Sequence, residues 1–356
     1  MKKFTIGVFL NLGESFTSLS GQAELMLQAN ILPYAQAFDR VYIFTYAQEK
    51  VNLPANCYLV TPPFRLHRYI YTLILPFMHR SIIKQCNLLR CFQLAGTLPA
   101  LISKLFYGSK FVFNYGYDYA AFAGIEGRPL QAQLFSWLKP IALKFATGVI
   151  VKNKDLPVKG FYLPNGVDIN QFHPPKRKFH HRIKTVLYVG RLEPQKNLIV
   201  LLTALAQVKT KLKIVIVGQG SQSQKLLHLA KQLKLNLVIK SPIAHSQLPK
   251  VYRSADLFVL PSLIEGSPKV LLEAMASNLP IVATNVPGSR EIIKPNTTGI
   301  LVEPTVADLG AGINQIFDQP SFARRLGQAA HRQAIKQYNQ KKLMASEITF
   351  LQSCAH

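Results

Sequence analysis

The chain has 356 residues, 49% of them hydrophobic, with 42 lysines and arginines against 17 aspartates and glutamates, a formal charge of +25. That length suits two domains with separate cores, and the apolar content excludes an intrinsically disordered chain. No stretch approaches the roughly 20 apolar residues that span a bilayer, and Cys57, Cys86, Cys91 and Cys354 show neither a C-x-x-C pair nor zinc-site spacing, so reduced thiols in a cytosolic protein are expected.

The first ten residues imitate a signal peptide briefly, but the apolar run is short and Asn11, Glu14 and Ser15 follow at once. They read as a first buried strand at 4–10. Further strands are expected at 40–44, 57–60, 111–114, 148–151 and 161–163, with helices at 22–38, 98–106 and 130–145. The longest membrane-span candidate, 69–78, is broken by Pro76. A basic, proline-containing segment at 172–182 then looks like an interdomain linker. Beyond it the alternation restarts, with strands at 185–189, 212–217, 236–239, 257–260 and 281–283. Helices are expected between them at 197–208, 223–233, 247–254 and 268–277, and the tail after Asp308 reads as largely helical. Strands alternating with helices argue for parallel sheets covered on both faces. The economical architecture is α/β, with two successive Rossmann-like units whose ligands bind outside the carboxyl ends of the strands. The boundaries expected are 1–172 and 173–339, with a C-terminal helix at about 340–356 packing back on the first domain.

Charge is unevenly spread. Between Glu49 and Asp118 there is no acidic residue, while Arg65, Arg68, Arg80, Lys84, Arg90, Lys104 and Lys110 fall inside, interleaved with aromatic and aliphatic side chains. Such a stretch suits an anionic membrane surface. A general basic bias of the chain and a nucleic-acid face are the alternatives.

Chemistry concentrates in the second half. Arg191 and Lys196 follow the 185–189 strand around Gly190, a natural clamp for a diphosphate, or else two solvated loop cations. The run Gly218-Gln-Gly220 is only G-x-G, a weak signal that fits a turn near a nucleotide as well as strand-to-helix packing. Glu265 and Glu273 flank a helix start, with seven residues between them. Ser267 suits the N-cap and Pro268 the first helical position, which would leave Lys269 second in the helix, unfavourable unless an anion docks there. A lone carboxylate among Val270, Leu271, Leu272 and Ala274 is costly unless hydroxyls or cations meet it. Glu273 could therefore accept a ribose diol or be a buried ion-pair partner, and Glu265 could reach sugar hydroxyls or be a loop carboxylate.

The ordered series Leu163-Pro-Asn-Gly-Val-Asp168, Phe172-His-Pro174, Val189-Gly-Arg-Leu192 with Lys196-Asn-Leu198, Glu265-x7-Glu273 with Ala274-Met-Ala276, Ala283 to Glu291, and Gly299-Ile-Leu-Val302 resembles family 4 glycosyltransferases of the GT-B fold. In the first half, Gly13 and Ser20-Gly-Gln-Ala-Glu24 resemble the glycine-containing loop facing the donor phosphates. The resemblance implies two Rossmann-like domains facing across an interdomain cleft. It implies that Arg191 and Lys196 hold a diphosphate with amides near Gly13 and Pro268–Val270, that Glu273 binds ribose, that Glu265 contacts the transferred sugar, and that Ile243 packs on the base. It further implies a retaining hexosyltransferase working on a nucleotide sugar without metal or other cofactor. UDP-hexose is the default donor and GDP-mannose the main competitor. A glycan or lipid-linked acceptor is expected, in cell-surface polysaccharide or glycolipid synthesis, with the protein peripheral on the cytoplasmic face of the membrane.

The sequence departs from that family where phenylalanine is common at the Ser267 place and asparagine at the Lys269 place. An acceptor-side histidine is also missing. Asp118, in Asn114-Tyr-Gly-Tyr-Asp118, stands in that region as a base, an acceptor-hydroxyl ligand or a helix-capping aspartate. A non-catalytic nucleotide-binding or membrane-scaffold protein on the same fold is the alternative, against which Arg191, Lys196, Glu265 and Glu273 argue. The motif order gives no support to a nucleic-acid partner.

Overall fold

The computed structural model describes residues 4–19, 23–125, 127–175 and 183–355. The chain divides into two compact units, residues 1–163 with 344–356, and residues 164–343. Most of the segment read as a linker, 176–182, lies outside the described residues, as does 20–22 of the first-loop motif.

In the first unit β1 (Thr5–Phe9), β2 (Arg40–Phe44), β3 (Cys57–Val60), β4 (Leu88–Cys91), β5 (Phe111–Tyr115), β6 (Gly148–Val151) and β7 (Phe161–Tyr162) form one parallel sheet in the order β3-β2-β1-β4-β5-β6-β7. β1 is buried along its whole length, as a strand covered on both faces must be. The second unit repeats the plan with β8 (Lys184–Val189), β9 (Leu212–Val217), β10 (Leu237–Lys240), β11 (Leu257–Leu260), β12 (Ile281–Thr284) and β13 (Ile300–Val302), ordered β10-β9-β8-β11-β12-β13. Both orders are the doubly wound arrangement in which the strand sequence reverses beside the first strand.

Strands β4 and β13 and several helices escape the sequence reading, among them Arg68–Met78, Arg80–Ile83 and Pro287–Ile292. β4 carries Arg90 at its centre, and β13 has only three residues. The helix Arg68–Met78 contains Pro76 and several β-branched and aromatic residues of modest helix propensity. It forms because Tyr71, Thr72, Leu75 and Pro76 recur at helical spacing and are buried together.

Arg90 is fully buried and accounts for the position of the chain's last helix, Gln340–Ala355. Its Nη2 donates to Glu347 Oε1 at 2.7 Å and to Asn114 Oδ1 at 2.6 Å, and its Nη1 donates to the Cys91 carbonyl at 2.6 Å. Tyr34 Oη donates to the same Glu347 oxygen at 2.7 Å. Burial alone would raise the Glu347 carboxyl. The Arg90 charge, then Lys152, and hydrogen bonds from Tyr34 and Arg90 outweigh it and hold the group at about 2. The helix thus ends as part of the first unit.

The boundary set by the basic segment needs correction. Residues 164–172 pack with the second unit, because Val167 and Phe172 are buried in its core. Val167 N also donates to Tyr338 O at 2.8 Å, and Gln340 N to Val167 O at 3.1 Å.

Candidate functional site

In the second unit the residues singled out by sequence gather beyond the carboxyl ends of β8 to β11. The β8 and β9 loops meet backbone to backbone. Leu192 N donates to Gln219 O at 2.9 Å, and Gln222 N to Leu192 O at 2.9 Å. A Cβ on Gly218 would lie 1.9 Å from Gly190 O, and one on Gly220 would lie 2.5 Å from Leu192 O. Loop-on-loop packing therefore leaves no room for a side chain at either glycine. Ser221 Oγ and N donate to Glu193 at 2.6 and 3.1 Å and fasten the same junction.

That junction presents Arg191 and Lys196. Arg191 is exposed, and its carbonyl accepts from Tyr188 Oη at 2.9 Å. Burial, reinforced by the nearby Glu265 charge and opposed by Arg191, pushes the Tyr188 hydroxyl well above its usual range, so it stays a donor. Lys196 ends a short 3₁₀ turn, Pro194–Lys196, and donates from Nζ to Glu265 Oε1 at 2.6 Å. The two side chains are 14% and 10% exposed. At that burial each charge needs the other.

Hydrogen bonds to Glu265 and to the loop around it hold the carboxylate in place. Ser262 Oγ, wholly buried, donates to Glu265 Oε1 at 2.6 Å. Thr284 Oγ1 donates to the Ser262 carbonyl at 2.5 Å, and Leu263 N donates to Gln195 O at 2.8 Å, which locks the β11 loop to the Lys196 turn. Gly288 N donates to Glu265 O at 3.2 Å, and a Cβ at Gly288 would meet that backbone at 2.7 Å. Thr284 and Gly288 lie in the Ala283 to Glu291 motif, though the sequence does not tie them to Glu265. Ser262, three residues before the carboxylate, could have been found by asking what hydrogen-bonds Glu265.

The helix beyond Glu265 is Lys269–Ala276, one residue later than expected. Pro268 takes the N-cap place with extended backbone (ψ 108°), and Lys269, exposed, is the first helical residue. Ser267 is therefore not the cap, and its carbonyl instead accepts from Asn165 Nδ2 at 2.8 Å. Asn165 comes from the Pro-Asn-Gly motif, so that motif supports the start of the helix. Val270 packs half-buried against the core. Glu273 is 6% exposed, with Tyr252 Oη donating to Oε2 at 2.8 Å and His245 Nε2 at 3.1 Å from Oε1. Its buried-partner reading is realised, yet each carboxylate oxygen retains acceptor capacity for a further hydroxyl. The Phe172 ring lies beside both partners, tilted at 5.2 Å from His245 and edge-on at 5.6 Å from Tyr252. Neither His245 nor Tyr252 was singled out, because only the fold brings positions 28 and 21 residues upstream onto Glu273. Ile243, in the loop after β10, is half-buried against the core edge.

Gly13 and Asp118 belong to the first unit. Gly13 has φ +78°, a left-handed conformation that favours glycine, and a Cβ there would lie 2.9 Å from Arg68 Cδ, in a side chain that can move. Asp118 has the geometry of its capping alternative. Its Oδ1 accepts from Ala120 N and Ala121 N, both at 3.0 Å, at the start of the Tyr119–Ile125 helix, and Oδ2 lies 3.8 Å from Lys139 Nζ. Those two amide contacts are what the capping alternative requires.

Two Rossmann-like units of this strand order have the GT-B glycosyltransferase fold. The fold matches that of sucrose-phosphate synthase from Thermosynechococcus elongatus with a TM-score of 0.84 over 99% of both chains, at 19% identity. Residues 170–333, which carry Arg191, Lys196, Glu265 and Glu273, match the family model of glycosyl transferases group 1. An uncharacterized glycosyltransferase of Methanocaldococcus jannaschii is 32% identical over 183 residues, 48% of this chain and 47% of its own. The UDP-Gal:alpha-D-GlcNAc-diphosphoundecaprenol alpha-1,3-galactosyltransferase of Escherichia coli is 30% identical over 210 residues, 51% of this chain and 54% of its own. The chain spans about half the length of these relatives.

Proposed function

We propose that the protein is a retaining hexosyltransferase that takes its sugar from a nucleotide sugar, UDP-linked by preference and GDP-mannose next. The acceptor is a glycan or a lipid-linked sugar of cell-surface polysaccharide or glycolipid synthesis. The Lys196–Glu265 pair, braced by Ser262 beside the exposed Arg191, carries this reading.

A departing nucleoside diphosphate gains negative charge as its bond to the sugar breaks. Fixed cations at the loop where that charge develops lower the barrier without reorganising. Lys196 has three donor hydrogens, so it can bridge the diphosphate and Glu265 at once. Arg191 adds a forked donor, and the N-terminus of the Lys269–Ala276 helix adds oriented amides. Glu265, held in place by Lys196 and Ser262, accepts hydroxyls of the transferred sugar. Glu273 takes the ribose, with Ile243 against the base. These cations supply what a metal would, so transfer needs no metal ion. The UDP preference draws on the donor named for the Escherichia coli relative.

A thermal-shift panel of UDP-, GDP- and ADP-sugars followed by transfer assays tests this. The favoured donor raises stability by mass action and is turned over. Binding without turnover on any glycan or lipid-linked acceptor would leave the non-catalytic alternative.

A further inference from the structure

Twelve of the nineteen exposed large hydrophobic residues among the described residues lie on three helices of the first unit, Arg68–Met78, Thr97–Tyr107 and Pro129–Phe145. Scattered exposed hydrophobics are ordinary, but clustering of this kind is not. These helices join β3 to β4, β4 to β5 and β5 to β6, so right-handed crossovers put them side by side on one face of the sheet.

The longest of the three carries the clearest signal. Leu130 (82% exposed), Leu134 (51%), Trp137 (70%), Ile141 (46%) and Phe145 (47%) recur every three or four residues and make one outward stripe. The same helix already has a core face, with Leu138 and Ala142 buried. The stripe is therefore a second apolar face, beyond what the fold needs. On the neighbouring helices Phe77 and Phe106 meet edge to face at 4.9 Å while staying 47% and 58% exposed. Ile70, Leu73 and Leu105 extend the surface.

Charge decides what covers it. No acidic residue falls at 50–117 or 127–154, so all three helices lack carboxylates. Arg65, Arg68, Arg80, Lys84 and Lys144 are exposed at their ends and edges. Arg80 and Lys84 sit over the Tyr107 ring and Lys144 over that of Phe145, so cation and aromatic groups are interleaved. Two copies of such a face would oppose cation to cation. An anionic bilayer satisfies both halves, with apolar side chains entering the acyl boundary and cations meeting headgroups.

We infer that this three-helix face, centred on the Leu130–Phe145 stripe, is a docking surface for anionic lipid bilayers. The surface is shifted from the acid-free segment 64–110 toward a helix that lies outside it. As a means of approach to a lipid-linked acceptor it rests on the function proposed above, whereas the contact itself does not.

Trp137 is the chain's only tryptophan and sits in the middle of the stripe, which makes it a native reporter. The full chain is titrated with vesicles of phosphatidylcholine, alone or mixed with phosphatidylglycerol, at about 0.15 M salt, where the Debye length is near 8 Å. With the mixed vesicles the emission moves to shorter wavelength and is quenched by brominated acyl chains, and with neutral vesicles both effects are much weaker. Leu130→Ser with Leu134→Ser weakens partitioning by about tenfold or more, and so does Arg80→Gln with Lys84→Gln. Both variants keep the thermal shift given by the nucleotide sugar. An unchanged emission, equal responses to both vesicles, full partitioning by either variant, or a stable dimer that ignores vesicles would each overturn the surface. A chain that docks but binds no nucleotide sugar would instead overturn the donor reading and leave this surface in place.

Discussion

At the scale of single residues the site is a set of charges that depend on one another. Glu265 accepts from both Lys196 and Ser262 at one carboxylate oxygen, so removing either charge changes the other's setting. Glu265→Gln keeps the Ser262 hydrogen bond and loses the charge, and transfer from the nucleotide sugar is expected to fall by about 10²-fold or more. Lys196→Ala should fall by a similar factor, and the double variant by much less than the product, because the two act as a unit. Initial rates for the four proteins check this, with circular dichroism to show that each is folded. Near-normal transfer by either single variant would remove the pair from the mechanism. Tyr252→Phe tests Glu273 separately. It takes away a donor 2.8 Å from Oε2 and leaves His245 at Oε1, so the Kd for the nucleoside diphosphate should rise about tenfold, as a lost charge-assisted hydrogen bond implies. Titration calorimetry reads it directly.

At the scale of elements, what could be read from sequence depended on whether an element explains itself. β1, β2, β8, β9 and β11 are apolar runs between polar or glycine-containing turns, and periodicity alone finds them. β4 was missed because Leu-Leu-Arg-Cys looks like a broken strand, and its arginine is tolerated only because Glu347 arrives from 257 residues away. The same limit hid the partners of Glu273. The loop carboxylate and cations were legible because their residue types and spacing carry the chemistry locally, whereas Ser262, His245 and Tyr252 contribute only once the chain is folded. The helix after Glu265 was legible in extent but not in its cap, where Pro268 takes the place assigned to Ser267 and shifts Lys269 to the first position. The contact between the β8 and β9 loops is testable as an element-level device. Gly218→Ala would set a methyl carbon 1.9 Å from Gly190 O, with φ at +154°, so the two loops must part. A loss of about 1–3 kcal/mol or more is expected, measured by urea unfolding. It should be accompanied by weaker nucleotide binding, because the β8 loop that the methyl would push away carries Arg191.

At the scale of the whole molecule, two repeats of one plan are stabilised by different means, and acid should separate them. The first unit buries the Arg90–Glu347 pair with Tyr34 and Asn114 around it, 0% and 5% exposed at the two charged side chains. Glu347 titrates at about 2 in the folded chain against 4.5 for a free side chain. A depressed carboxylate contributes its full stabilisation above the unfolded value, near pH 4.5, and loses it as pH falls toward 2. That difference corresponds to about 3 kcal/mol. Hydrogen exchange followed by mass spectrometry resolves the two units peptide by peptide. Between about pH 4.5 and 2, protection in β1 to β6 should fall ahead of that in β8 to β12. Glu347→Gln should reproduce the loss at neutral pH by stranding the buried Arg90 charge, at a cost of about 3–5 kcal/mol, and should flatten the acid dependence of the first unit. A nucleotide sugar binding at the Lys196–Glu265 site stabilises the state that binds it, so its protection should appear in β8 to β12. If Glu347→Gln instead left the first unit's protection unchanged, Arg90 would have to find another counter-charge, and the account of why an arginine sits at the centre of a buried strand would fail.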